Sequence, residues 1–158
     1  MATLDTSMLL EAQGCACFNL RKATRAVTQL YDDALRPSGL RCTQFSLLTL
    51  LKASGAVAMT RLADDAVMDR TTLARNLEVL ERGGLVRIRS GEDARVREIE
   101  LTRAGVAKLE EAFPLWRRAQ RTVKQGLGSG RLSRLLADLS LAVDAAGHPE
   151  RREGSARA

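Results

Sequence analysis

A chain of 158 residues with 45% hydrophobic and 28% charged residues is long enough to bury one core and too apolar to stay unfolded. Its net charge of +6 and pI near 9.9 favour a polyanionic partner. One histidine, His148, and three cysteines argue against triad, multi-histidine metal and disulfide-framework chemistry.

No P-loop or GxGxxG motif is present, so no enzyme activity, metal or cofactor is expected. The first residues lack a basic leader, and no apolar run reaches the length of a membrane span. The expected location is cytoplasmic, with no membrane partner.

Leu20, Val27, Leu30, Tyr31 and Ala34 recur at helical spacing, which predicts a helix over 17–35. Asp32 and Asp33 fall near its C-terminal end, where the helix dipole disfavours them and Arg36 is a natural partner. Pro37 and Gly39 stop it. A second helix is expected from Thr43, as N-cap, to about residue 53. It is apolar almost all round through Phe45, Leu47, Leu48, Leu50 and Leu51, and therefore buried.

A helix-turn-helix follows. Thr60 is expected to cap a short helix with Leu62, Ala63 and Ala66 inward. Asp69 caps the next, which runs to about Arg82. On that second helix Leu73, Leu77 and Leu80 form one stripe, and Thr71, Thr72, Arg75, Val79 and Arg82 lie opposite. An ordinary amphipathic surface helix has the same division. The first two turns favour recognition, because Arg70, Thr71, Thr72 and Arg75 carry donors of the length that reaches base edges and phosphates. The N-terminal end of such a helix is also the end that enters a major groove.

Gly83 and Gly84 stop this helix. Segments 85–89 and 96–101 then alternate as two strands around the turn-rich tip 90–95. Arg87, Arg89 and Arg95 of this hairpin join the candidate DNA-binding residues. Arg95 is the candidate for a narrow A·T-rich minor groove, and Asp93 either holds a nearby arginine or caps the turn. A solvated Asp93–Arg95 loop pair is weighed evenly against that reading. Thr102 caps a long helix that Pro114 should kink or split. After a break at 126–130, a stripe of Leu132, Leu135, Leu136, Leu139, Ala142, Val143 and Ala146 ends at Gly147. Residues 148–158 read as a disordered tail.

The expected fold is mainly α with a small β-hairpin wing, in one domain. Residues 43–101 form a winged helix-turn-helix, and 8–36 and 102–147 form helices for dimerisation. Those flanking helices carry more apolar surface than a small winged domain needs, which favours a twofold homodimer over helices that merely cover their own core. Two units can read a pseudo-palindromic double-stranded DNA operator with half-sites about one helical turn apart. A winged module that binds protein and a non-specific nucleic-acid packaging protein remain alternatives.

Several stretches resemble the MarR-type winged-helix regulators. They are Leu62-Ala63, Asp69-Arg70-Thr71-Thr72-Leu73, and Leu80-Glu81-Arg82-Gly83-Gly84-Leu85-Val86. Glu92-Asp93-Ala94-Arg95 and Leu101-Thr102-Arg103-Ala104-Gly105 complete the series. The resemblance implies an obligate dimer that represses transcription and is released by a ligand or by cysteine oxidation. It places Thr71, Thr72 and Arg75 where the family reads the major groove, Arg95 at the wing arginine, and Asp93 at its acidic support.

Two release devices are implied. A small aromatic or phenolic effector would be held with help from Arg21, Arg25 and Arg41, whose guanidinium geometry suits a carboxylate. Alternatively, Cys17-Phe18 with Leu20 and Tyr31 resembles the organic-hydroperoxide-sensing branch, whose reactive cysteine falls at Cys17. Arg21 and Cys42 stand where that branch places tyrosines. Cys15 and Cys17, two residues apart on one helix, would face opposite sides. The plainer alternative is three buried, inert cysteines.

Overall fold

The computed structural model describes residues 5–91 and 96–148. In chain order it comprises α1 (Thr6–Gln13), α2 (Ala16–Leu35), a short 3-10 turn (Arg36–Ser38) and α3 (Cys42–Ser54). Next come β1 (Val57–Ala58), α4 (Met59–Asp65), α5 (Arg70–Arg82), β2 (Val86–Ser90) and β3 (Arg97–Leu101). α6 (Arg103–Leu127) and α7 (Ser129–Ala145) complete the chain. This is the winged helix-turn-helix anticipated from the sequence, with three strands in the order β1-β3-β2 instead of a two-stranded hairpin. β1 escaped the sequence reading because two residues carry no detectable alternation. It pairs Val57 with Ile99 and Ala58 with Glu98.

One core holds the head together. Leu47, Leu48 and Leu51 of α3 meet Leu62 of α4, Leu73, Leu77 and Leu80 of α5, Val86 and Ile99 of the sheet, and Ala112 of α6. Burying each leucine contributes roughly 1.5–3 kcal/mol. The three from α5 therefore outweigh the modest intrinsic cost of its Thr, Asn and Val residues in a helix.

Several boundaries differ from expectation. α3 starts at Cys42, with Arg41 and not Thr43 at the N-cap. Asp32 of α2 accepts from the backbone N–H of Cys42 at 2.7 Å, and Gln44 Oε1 accepts from the Arg41 N–H at 2.9 Å. The orphan donors are thus satisfied from another helix and from inside the first turn, which removes the need for a threonine cap. α4 begins at Met59, capped by Ala58 and not Thr60, because β1 runs straight into it. Pro114 does not split α6. It and Glu110, whose carbonyl loses its donor, are both exposed, so the missing hydrogen bond falls on the solvent side of α6. The break expected over 126–130 narrows to Gly128, at φ 79°.

Of the apolar side chains predicted to line α2, Tyr31 is buried but Leu20 and Val27 are exposed. α1 is a separate helix that displays Met8, Leu9 and Leu10. α7 buries no residue against its own chain, and Leu136 remains 55% exposed. No helix among the described residues is long and apolar enough to cross a membrane.

Candidate nucleic-acid interface

The geometry of α5 follows from its two ends. Asp69 caps it as anticipated, accepting from the Thr72 N–H at 2.9 Å. Thr72, through its hydroxyl and its backbone N–H, holds the Asp69 carboxyl below its usual range. The sign is that of a stabilised carboxylate. The contribution is complete above the unfolded-state value and disappears as pH falls through the lowered native one. At the other end the Leu85 N–H reaches the Leu80 carbonyl at 2.9 Å and the Gly84 N–H reaches that of Glu81 at 2.8 Å. Gly84 has φ 68°. This is a Schellman termination, in which the left-handed residue is Gly84 and not Gly83.

Between those ends Leu73, Leu77 and Leu80 face the core, and Arg70, Thr71, Thr72 and Arg75 are exposed. α5 therefore exposes four polar side chains over its first two turns, with Thr71, Thr72 and Arg75 on the side opposite the leucines. The turn before it has the same hydrogen-bond pattern, with Val67 N–H to the Asp64 carbonyl at 3.0 Å and Met68 N–H to that of Ala63 at 2.9 Å. Its left-handed residue is Val67, at φ 49°. A β-branched side chain costs roughly 1–2 kcal/mol in that conformation, so the surrounding packing enforces the turn. Nothing in the sequence flagged it.

The wing is locked to the head. Glu81 Oε1 accepts from the Ile88 N–H at 3.0 Å. Glu100 lies 2.9 Å from Arg89 and 3.6 Å from Arg87. These two arginines, expected among the DNA-binding residues, thus share one carboxylate on the strand face. Asp93 and Arg95 lie outside the described residues. Sequence reasoning missed Arg97 and Thr60, which line one cleft with Arg70. Extending the strand's alternation two residues back from Ile99 was the available signal.

The net charge does not sit on this head. Residues 57–101 hold eight Lys and Arg against nine Asp and Glu. Residues 112–137 hold six basic residues and no acidic one, which alone equals the whole excess. The basic residues of segment 57–101 are therefore balanced by its own carboxylates.

The predicted effector arginines separate. Arg25 and Arg41 line one open groove of about 550 Å³ with Thr24, Thr28, Gln29 and Asp32, but Arg21 does not join them. Arg41 is moreover paired with Asp32 at 3.0 Å. Asp33 pairs with Arg36 as expected.

The cysteines are not uniformly buried. Cys15 and Cys17 are exposed and Cys42 is half-buried. Cys15 is the N-cap of α2 and Cys17 its second residue, so Cys15 precedes the helix that carries Cys17. Burial, and then the Asp32 charge, pushes the Cys42 thiol up against a weaker opposing hydrogen bond from Ser46. The Tyr31 hydroxyl donates to Gln120, and burial followed by Cys42 raises its pKa.

No family model matches the sequence. The fold is similar to the M. tuberculosis transcriptional regulator MosR crystallised in complex with DNA, at 48% identity and TM-score 0.74, covering 84% of this chain and 98% of that one. The Bacillus subtilis organic hydroperoxide resistance transcriptional regulator is 32% identical over 109 residues, 68% of this chain and 73% of that protein. An E. coli MarR variant complexed with operator DNA shares the fold at TM-score 0.76 and 19% identity, covering 89% of this chain and 99% of that one. These relatives are transcriptional regulators, not enzymes, and the winged helix-turn-helix is the fold they share with this chain. The chain belongs to the MarR family of winged helix-turn-helix transcriptional regulators.

Proposed function

We propose that the protein is a homodimeric, sequence-specific repressor that grips a pseudo-palindromic DNA operator with one α5 in each of two adjacent major grooves. The observation that carries this reading is the exposed face of α5. Arg70, Thr71, Thr72 and Arg75 project from a helix fixed by Asp69, Gly84 and three buried leucines. The DNA-bound structure of MosR, at 48% identity, supports duplex DNA as the partner. Arg75 and the two threonines read bases, and Arg70 holds the backbone. Arg95 reaches the minor groove, supported by Asp93. The unpartnered apolar faces of α1, α2 and α7 supply the dimer contact.

A titration of duplex DNA beside the protein's own gene, against an arbitrary duplex at the same salt, tests this. The expected preference is at least about a thousandfold. Equal affinity for both is the behaviour of a packaging protein. No affinity for either leaves the protein-binding winged module.

Release from DNA has two readings. In the first, an aromatic carboxylate enters the groove beside Arg25 and Arg41 and stabilises a dimer with the wrong half-site spacing. In the second, an organic hydroperoxide oxidises Cys17. The sulfur takes one peroxide oxygen as sulfenic acid while the corresponding alcohol leaves. The exposure of Cys15 and Cys17 and the 32% identity to an organic hydroperoxide resistance regulator favour the second. Arg41, already held by Asp32, weakens the first. Treatment with an organic hydroperoxide should abolish operator preference in the wild type and leave Cys17→Ala bound. A Cys17→Ala protein that is released equally well removes Cys17 from the mechanism.

A further inference from the structure

β3 puts Arg97 on the helix side of the wing. In an antiparallel pair, residues in register share a face, and faces alternate along each strand. Val86, Ile88 and Ser90 pair with Leu101, Ile99 and Arg97, so Arg97 shares its face with the buried Val86 and Ile99. Arg87 and Arg89 lie on the opposite face with Glu98 and Glu100. The apolar core ends before Arg97, which is exposed. There it lines a cleft of about 280 Å³ with Met59, Thr60, Arg70 and Val96.

The two faces differ in how their charge is used. Glu100 is within ion-pair distance of both Arg87 and Arg89. Among the described residues no carboxylate lies within ion-pair distance of Arg70 or Arg97, and both are exposed. Two free guanidiniums and a threonine hydroxyl thus line one cleft. Arg70 is also the first residue of α5, so the cleft opens where the recognition helix begins and the wing turns out. In the docking proposed above, a strand bordering the groove that α5 enters passes this point.

We infer that the Thr60–Arg70–Arg97 cleft seats one backbone phosphate of duplex DNA. It does this in preference to the outer arginines Arg87 and Arg89. The inference rests on the DNA-binding reading above. A phosphate is the anion this donor set fits. Each guanidinium fork offers paired N–H donors to its oxygens, Thr60 offers a hydroxyl, and Met59 and Val96 give the adjacent sugar an apolar wall. Neutralising a phosphate displaces a condensed counterion, so the seat has a signature separate from base reading.

That signature is measured as affinity for an arbitrary duplex of about 30 base pairs, long enough for two half-sites one turn apart, over a series of salt concentrations. Arg97→Ala should lower the slope of log K against log salt by about 0.9 per seat, hence by nearly two for the pair in a dimer. The loss of affinity should be the same on operator and arbitrary DNA. Arg97→Lys, which keeps the charge, should recover most of the slope. Arg87→Ala should leave it unchanged. A wild-type slope in Arg97→Ala, or an equal drop in Arg87→Ala, overturns the seat while leaving DNA binding intact. A wild-type protein that binds no duplex overturns the DNA-binding reading and this seat with it.

Discussion

Gly105→Ala should lower stability by about 2–3 kcal/mol, at the upper end of the usual overpacking range. Thermal unfolding should shift down by about 5–10 °C, on the scale of a chain this size. Gly105 is buried in the first turn of α6, and an added Cβ there would stand 2.1 Å from the Leu85 carbonyl oxygen and 2.7 Å from Leu101 Cδ1. The nearer of the two, the backbone oxygen, is not free to move. The Leu85 oxygen accepts from the Thr102 N–H at 3.1 Å. The Thr102 hydroxyl accepts from the Gly105 N–H at 3.0 Å and donates to the Gly84 carbonyl at 2.7 Å. The end of α5, the root of β2 and the start of α6 therefore form one hydrogen-bonded knot. Forcing a methyl group into it displaces the wing relative to α5, so operator affinity should fall by more than the stability change alone explains. An alanine variant with the wild-type unfolding midpoint and DNA affinity would show that the approach relaxes without consequence.

Leu136→Asp should convert a dimer of twice 17.2 kDa into a monomer at micromolar concentration. Leu136 lies on the α7 stripe with Leu132, Leu139 and Val143, yet is 55% exposed in the single chain. In the monomer, substitution at such a site is nearly neutral. Across an apolar dimer interface the same carboxylate must be desolvated without a partner, at several kcal/mol. About 4 kcal/mol corresponds to roughly a thousandfold weaker association. Leu141, 63% exposed, sits about 140° around the helix from Leu136 by helical geometry, so Leu141→Asp is the matched control and should remain dimeric. Light scattering with size exclusion reads both variants. A dimeric Leu136→Asp places the interface elsewhere.

α5 was legible because its signals are local. A capping aspartate, three leucines at helical spacing and a terminal glycine all lie within sixteen residues of one another (Asp69 to Gly84) and agree. What the sequence hid depends on distant partners. The start of α3 is set by Asp32, ten residues upstream and on another helix. β1 is defined only by its partner β3. That Arg87 and Arg89 share Glu100 shows only once the strand register is known. Arg97 was passed over although its parity with Ile99 puts it on the inner face. A total of +6 carries no position, and the basic excess lies in residues 112–137. The strained Val67 turn has no composition signal, because glycine is the usual occupant of that conformation.

The central claim is that the exposed first turns of α5 read bases and do more than supply positive charge. Arg75→Ala, titrated in parallel against the operator duplex and an arbitrary duplex at one salt concentration, tests it most directly. The expected result is a loss of about 1–3 kcal/mol per half-site on the operator, with affinity for the arbitrary duplex nearly unchanged. An equal loss on both duplexes would contradict the claim and reduce Arg75 to a phosphate contact.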